Sequence, residues 1–226
     1  MPFEGFTQST IDFMWGLRFN NNKAWFEEHK DDYRRDLLTP MKALAQDVFA
    51  QLDGECAKRG FRLKVSRIYR DARRIRGGEP FRDHLWLSLE KPSDEYWANT
   101  PVFWFELAPE GWSYGLGYYL AAAETMAKLR ARIDHAPKAF EKLIAPLGKQ
   151  AEFALVGDEY KRKKDAPTPK TAVWYNKKTF SLIHNGQIEA VLFSGELAAR
   201  IIGGFAFLMP LYDYFSTLPS DPPPQQ

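Results

Sequence analysis

The sequence predicts an α+β fold in which an antiparallel sheet of about four to six strands is flanked by N-terminal and C-terminal helices. Apolar residues recur at helical spacing before residue 53 and again after residue 121, whereas they alternate with polar residues between 61 and 120. Helices, then a run of strands, then helices again are typical of α+β domains and not of alternating βαβ units. We expect a single domain over residues 1–217 and a flexible tail at 218–226.

Three helices are predicted before residue 53. Thr7 or Ser9 can cap the first helix, and an asparagine cluster that ends at Asn22 separates it from the second. Pro40 fits the first turn of the third helix, which Gly54 is expected to end. Each helix carries apolar residues along one side, so each is expected to dock on a core.

Alternation with a period of two residues predicts the strands. The first strand begins at Phe61, and a second covers residues 85–90. Residues 102–107 and 112–120 flank the turn signal at 108–111, so they predict an antiparallel hairpin.

The rest of the chain is predicted to be mostly helical. Ser194 can cap a helix that begins at the following residues, and Pro210 is expected to open a separate short helix. The other predicted elements are helices at 121–134 and 136–147, a short strand at 153–156 and a polar loop at 157–170.

Two further patterns carry predictions. Gly115 and Gly117 share one face of the hairpin's second arm and leave a strip without side chains, where a helix or a ligand can approach closely. The basic run KRKK at 161–164 is expected to be a solvated loop, with contact to an acidic partner as the alternative.

Composition excludes several classes of protein. The hydrophobic content of 45% is that of a globular chain, and the net charge of +2 gives no support for a general nucleic-acid or membrane role. Cys56 is the single cysteine, so an internal disulfide and a zinc site built on cysteine pairs are excluded. We find no signal-peptide pattern and no apolar run of the roughly 20 residues that cross a bilayer. We therefore expect a soluble, cytoplasmic protein that needs no cofactor.

The most chemically biased stretch is residues 66–84, SRIYRDARRIRGGEPFRDH, which we call the arginine segment. Guanidinium groups are planar forks that bind carboxylate or phosphate in bidentate fashion and stay charged at ordinary pH. The alternation before the segment and the glycine pair within it predict a strand that gives way to an irregular turn. Its arginines are Arg67, Arg70, Arg73, Arg74, Arg76 and Arg82.

Convergence of these arginines predicts a site for a small anion. His84 is the histidine beside the charged cluster, so it and Tyr69 are candidates to donate a proton or a hydrogen bond. Asp71 is a candidate base, but flanking arginines should hold it ionised, which favours a role in orienting Arg70 or Arg73. The candidate ligands of the anion are Arg67, Arg70, Arg73, Arg76 and Arg82.

Two other interpretations stay open. In the first, the arginines pair with carboxylates such as Asp71, Glu106 or Glu124 and form a purely structural network. In the second, the segment is a protein- or nucleic-acid-binding surface, although the near-neutral net charge makes nucleic acid the less favoured partner. The four histidines form no metal-binding spacing. The sequence decides neither whether the anion is converted as well as bound nor which oligomeric state the chain adopts.

The arginine segment also carries a family resemblance. The pattern R-I-Y-R-D-x-R followed by P-F-R-x-H resembles the signature of the bacterial and fungal family called domain of unknown function 2461. That family's N-N-x-x-W-F element has a counterpart at residues 21–26. Other elements in the expected order are Gly117-Tyr118-Tyr119, Leu129-Arg130-x-x-Ile133 and Pro210-Leu211. The resemblance covers nearly the whole chain and implies a single α+β domain with no established activity.

The chain departs from the family pattern within the segment. The family usually continues with F-S-K-D-K-x-P-Y-K, whereas residues 74–82 read R-I-R-G-G-E-P-F-R here. Positions 77 and 78 thereby lose an acid and a base, so a role that needs lysine at 78 is not carried over. The positions that match are Arg67, Tyr69, Arg70, Asp71, Arg73, Pro80 and His84.

Overall fold

The computed structural model describes residues 2–71, 78–92 and 97–223. Within them the fold is α+β, as predicted, with a six-stranded antiparallel sheet in the order β1-β2-β3-β4-β6-β5. The predicted hairpin is confirmed as β3 and β4. The strands are β1 (Arg62–Val65), β2 (Leu85–Glu90), β3 (Val102–Ala108), β4 (Gly111–Gly117), β5 (Ala154–Val156) and β6 (Ser181–Gly186).

Helices precede β1, lie between β4 and β6 in the chain, and follow β6. A π-helical turn, Tyr33–Leu38, joins α3 to α4, and short 3₁₀ helices occupy several connections. The α-helices are α1 (Gln8–Phe19), α2 (Lys23–Glu28), α3 (Lys30–Asp32), α4 (Thr39–Gln51), α5 (Asp53–Arg59), α6 (Ala123–His135), α7 (Pro137–Ile144), α8 (Ala172–Tyr175) and α9 (Glu196–Ser216).

The first two helices begin where their capping residues predict. The N–H of Thr7 donates to Oγ1 of Thr10 at 3.1 Å, which closes the first turn of α1. The Oδ1 atom of Asn22 accepts a hydrogen bond from the N–H of Trp25 at 3.0 Å and caps α2. Met14 and Leu17 of α1 are fully buried, which confirms the predicted apolar side of that helix.

The third predicted helix, α4, ends at Gln51, two residues before its predicted end at Asp53-Gly54, but a separate helix that was not predicted, α5, begins at Asp53. Nothing lies within 4 Å of a Cβ atom placed at Gly54, and α5 buries Cys56 two residues later, so burial favours a helix that continues through the glycine. Gly60 is the residue that ends α5. It adopts a φ of 68°, in the left-handed region that favours glycine.

Pro210 does not open a separate helix, because it lies inside the continuous helix α9. Proline removes the N–H that would bond the carbonyl four residues earlier, here that of Ala206. Both Pro210 and Ala206 are exposed, so water can solvate the freed carbonyl. The buried neighbours Leu208 and Leu211 keep the helix on the core on either side of the proline.

Helix α9 is long and apolar enough to cross a membrane by length and composition. Half of its most apolar 18-residue stretch is buried inside the protein. The fully buried side chains of this helix include Leu197, Ile201, Phe205 and Leu208. The helix therefore contributes to the hydrophobic core.

The chain divides into two compact units. Unit 1 consists of Met1–Lys91, Trp104–Tyr114 and Asn185–Gly204, and unit 2 of Pro92–Phe103, Gly115–His184 and Phe205–Gln226. The division passes through β3, β4, β6 and α9. The described part of the arginine segment belongs to unit 1. A single domain over residues 1–217 stays a prediction.

The described part of the predicted tail is held in unit 2 as far as Asp221. Leu218 is fully buried and begins the short 3₁₀ helix Leu218–Ser220. Nζ of Lys128 donates to the carbonyl of Pro219 at 3.0 Å, and Nη2 of Arg132 donates to Asp221 at 2.7 Å. The predicted boundary at 217 therefore precedes four residues that pack against α6.

Candidate functional site

The described ends of the arginine segment run antiparallel to each other. Tyr69 and Phe81 form an isolated β-bridge. The N–H of Arg70 donates to the carbonyl of Pro80 at 2.9 Å, and the N–H of Arg82 donates to that of Ile68 at 2.7 Å. Ile68 and Phe81 are buried, so this paired backbone is anchored in the core of unit 1. Residues 72–77, which include the predicted ligands Arg73 and Arg76, lie outside the described residues.

Asn21 fixes the second arm of this pair. Its Nδ2 donates to the carbonyl of Phe81 at 3.0 Å, and the N–H of Phe81 donates to its Oδ1 at 3.1 Å. Phe26 lies in α2, four residues after the cap Asn22. Its ring stacks on the ring of Phe81, with the two centroids 4.1 Å apart. The N-N-x-x-W-F element therefore positions the arginine segment.

Arg70 binds the backbone and one exposed acid. Its Nε donates to the carbonyl of Phe81 at 2.8 Å, and Nη2 lies 3.6 Å from Oε2 of Glu79. Glu79 also accepts a weak hydrogen bond from Nδ2 of Asn21 at 3.4 Å. The guanidinium of Arg70 thus links both arms of the segment.

Arg82 is held by carbonyl groups and by an aromatic ring. Its Nη1 donates to the carbonyls of Arg67 and Tyr69 at 2.8 and 2.6 Å, and its Cζ lies 5.1 Å from the ring centroid of Trp86. Partial burial, and secondarily the positive charge of Arg70, lower the pKa of Arg82. Within the described part of the chain, Nε and Nη2 of Arg82 have no acceptor.

Asp83 follows Arg82 in the chain but pairs with Arg18 and His84. Its carboxylate accepts a hydrogen bond from Nε of Arg18 and lies 3.0 Å from Nδ1 of His84. Burial alone would raise the pKa of Asp83, but the hydrogen bonds from His84 and Arg18, with the charge of Arg18, lower it. Arg18 also pairs with Glu110. Asp83 is therefore committed to a cluster that does not include Arg82.

His84 and Arg82 share an aromatic neighbour. The imidazole of His84 is stacked on the ring of Trp86, with centroids 5.8 Å apart. Arg82, His84 and Trp86 alternate with the buried Leu85 and Leu87, as residues on one face of an extended chain do. This half-exposed face is the part of the segment where a cation, an imidazole and an indole come together.

The structure places the remaining predicted residues in different surroundings. Arg67 is exposed, and its side chain makes no hydrogen bond or ion pair with a described residue. Tyr69 is 50% exposed and packs on Phe26 and Phe81, without a ring contact or hydrogen bond to His84 among the described residues. Asp71 is partly buried at the edge of the described range.

Sequence reasoning missed Asn21, Arg18 and Trp86 as members of the site. Asn21 stands in the family's N-N-x-x-W-F element, which was a usable signal. Trp86 continues the alternation of Arg82 and His84 at every second residue, which was a weaker signal. Arg18 lies 65 positions from Asp83, and no local pattern joins them.

The described residues contain no group of three or more histidine, cysteine, aspartate or glutamate side chains arranged to hold a metal ion. The family model described as "Conserved hypothetical protein (DUF2461)" matches residues 9–214. In a comparison with curated proteins, no match to this chain is found.

Proposed function

Because the chain belongs to the DUF2461 family of conserved hypothetical proteins, whose description gives no activity, we propose its function from the arginine segment: it binds a small anion that carries a phosphate or carboxylate group. The observation that carries this proposal is the charge of Arg82. Its guanidinium pairs with no carboxylate among the described residues, although Glu79 and Asp83 are close in sequence.

The geometry of Arg82 suits bidentate binding. Because Nη1 is bound to two carbonyls, the plane of the guanidinium is fixed, and Nε and Nη2 remain as a planar fork. The lowered pKa of Arg82 means that its surroundings disfavour the charged form. A bound anion reverses this effect, so the charge of Arg82 favours anion binding.

The neighbouring residues receive roles in the same proposal. Arg67 supplies a second exposed cation. Nδ1 of His84 is bound to Asp83, so Nε2 is the atom that faces the ligand, and it donates a hydrogen bond or a proton when both ring nitrogens are protonated. Asp71 and Tyr69 keep the orienting and donating roles predicted from the sequence.

A purely structural role is the second candidate, and the carbonyl contacts of Arg70 and Arg82 favour it. It predicts that Arg70→Ala lowers the free energy of unfolding by about 1–3 kcal/mol, because the Phe81 carbonyl loses the charged one of its two donors. No anion would then restore the stability.

The test is a thermal-shift screen of the full chain at low ionic strength against phosphate, nucleotides, sugar phosphates and di- and tricarboxylates. We expect at least one anion to raise the melting temperature. Calorimetry then gives the Kd of that anion for three variants: Arg82→Lys, Arg67→Ala and the control Arg62→Ala. Arg82→Lys keeps the charge but removes the fork, and Arg67→Ala removes an exposed cation. Each should weaken binding by about tenfold, the effect of losing about 1.4 kcal/mol.

Arg62→Ala is the matched control, because Arg62 is an exposed arginine of β1 in the same unit and makes no described ion pair. It should leave the Kd within about twofold. The proposal fails if no anion raises the melting temperature, or if Arg62→Ala weakens binding as much as Arg67→Ala does.

A further inference from the structure

Unit 2 contains a second concentration of positive charge, the basic loop of residues 160–164 (YKRKK). All five of its residues line an open surface pocket of about 420 Å3. This volume falls within the roughly 300–1,000 Å3 of small-molecule sites. We propose that the basic loop is a binding site for a small molecule with a multiply charged phosphate group, such as pyrophosphate or a nucleoside triphosphate.

The charges of the loop are mostly uncompensated. Lys163 pairs with Glu159, but that carboxylate also lies 3.1 Å from Nζ of Lys177, so it serves two cations. Three exposed cations of the loop form no ion pair with a described residue: Lys161, Arg162 and Lys164. A single carboxylate would neutralise one of them, whereas a pyrophosphate group can neutralise all three.

The loop is fixed at both ends by one buried residue, Asn176. Its carbonyl accepts a hydrogen bond from the N–H of Tyr160 at 3.0 Å. Its side chain binds both sides of Lys164: the N–H donates to Oδ1 at 2.8 Å, and Nδ2 donates to the carbonyl at 3.2 Å. The backbone that carries four successive cations is thus fixed at both ends, and a bound anion reduces the repulsion between their charges.

Arg130 of α6 adds an independent observation. Its Cζ lies 5.3 Å from the ring centroid of Tyr160, and Nζ of Lys164 lies 5.8 Å from the same centroid. Nη1 of Arg130 is buried without a hydrogen-bond partner in the described part of the chain. A buried N–H of a charged group is costly to leave unpaired. A phosphate group held beside Tyr160 would supply an anionic partner near this unpaired donor.

The experiment is calorimetric titration of the full-length chain with pyrophosphate at low ionic strength. The variant with Lys161→Ser, Arg162→Ser and Lys164→Ser changes only exposed side chains. The matched control carries Lys138→Ser, Lys142→Ser and Lys149→Ser, which removes three exposed cations of unit 2 outside the loop. We expect the loop variant to bind at least about tenfold more weakly and the control to bind as the wild type does.

Further variants separate this site from the arginine segment. Arg130→Gln should weaken binding about fivefold, with its melting temperature measured without ligand to report folding. Pyrophosphate bound at the arginine segment of unit 1 would instead be weakened by Arg67→Ala and not by the loop variant. The inference is overturned if the wild type does not bind, if the loop variant and the control lose affinity equally, or if Arg67→Ala lowers the affinity and the loop variant does not. The small-molecule assignment is also overturned if a single-stranded oligonucleotide binds through the loop with higher affinity than pyrophosphate does.

Discussion

Gly186 of β6 lies so close to the indole of Trp112 that a Cβ atom at position 186 would overlap the ring. The carbonyl of Gly186 also lies 2.5 Å from the position that a Cβ atom at Gly111 would take. Trp112 cannot move away freely, because its Nε1 donates to the carbonyl of Gln187 at 2.9 Å. The absence of a side chain at 186 therefore permits the packing of this tryptophan.

We expect Gly186→Ala to lower the free energy of unfolding by about 1–3 kcal/mol or more, the cost of overpacking a filled interior. Gly203→Ala is the matched control, because a Cβ atom at Gly203 meets nothing within 4 Å and the residue lies in helix α9. Alanine should stabilise that helix by about 0.5–1 kcal/mol. Urea denaturation of both variants gives the comparison, and equal effects would contradict this packing argument.

The two hydrogen bonds between Asn21 and Phe81 predict that Asn21→Ala destabilises the protein by about 1–3 kcal/mol, since the N–H of Phe81 loses its partner and the carbonyl of Phe81 keeps the bond from Arg70 but loses the one from Asn21. The arginine segment would then be joined to α2 by the stacking of Phe26 on Phe81, without these hydrogen bonds. Asn20→Ala is the control, because that exposed side chain bonds to the carbonyl of Gly16, one turn earlier, and to no other described residue. Chemical denaturation measures stability, and hydrogen exchange at Phe81 and Arg82 should rise in the Asn21 variant alone.

Arg18 predicts a pH dependence of stability. The hydrogen bond from Arg18 to Glu110 is the largest effect on the pKa of Glu110 and lowers it. Arg18 also contributes to the lowered pKa of Asp83. A carboxyl group with a lowered folded pKa stabilises the protein above its unfolded value of roughly 4, and this contribution is lost as pH falls through the folded pKa. Arg18→Gln should therefore lower the free energy of unfolding by about 1–3 kcal/mol at pH 7 and by less at pH 3.

The comparison needs denaturation curves at pH 7 and pH 3 for the wild type, Arg18→Gln and Arg34→Gln. Arg34 pairs with Asp31 on an exposed surface of the helical region, so its replacement should change stability by less than about 1 kcal/mol at either pH. An Arg18 variant whose loss is the same at both pH values would refute the electrostatic explanation.

Local chemistry explains what the sequence predicted well. The caps at Thr7 and Asn22 and the alternation of Leu85, Leu87 and Leu89 need only neighbouring residues, and the structure confirms each. Strand β6 was missed, because its place between β4 and β5 depends on pairing with distant parts of the chain. That strand is also what approaches Gly117 of the predicted glycine strip, since a Cβ atom at Gly117 would lie 2.6 Å from Cα of Ser181, the first residue of β6.

The candidate site shows the same difference between local features, which the sequence predicts, and long-range contacts, which it does not. Arg82 and His84 were identified from charge and residue type, but their partners were not. The guanidiniums of Arg70 and Arg82 donate to backbone carbonyls, which every residue carries and which no sequence pattern marks. Glu124, a predicted carboxylate partner, pairs with Lys128 of its own helix. Side-chain charge therefore predicted the location of the cluster and not its connections.

The C-terminal residues provide a further prediction. A chain that ends at Ser216 loses the buried side chain of Leu218 and the ion pair between Arg132 and Asp221, so it should be less stable by about 2–5 kcal/mol. A chain that ends at Pro222 keeps both contacts and should match the wild type within about 0.5 kcal/mol. Urea denaturation of the two truncations decides the question. If both are as stable as the full chain, the contacts of residues 218–221 contribute nothing to folding. If Asp221→Asn alone reproduces the loss, the ion pair and not Leu218 provides the stability.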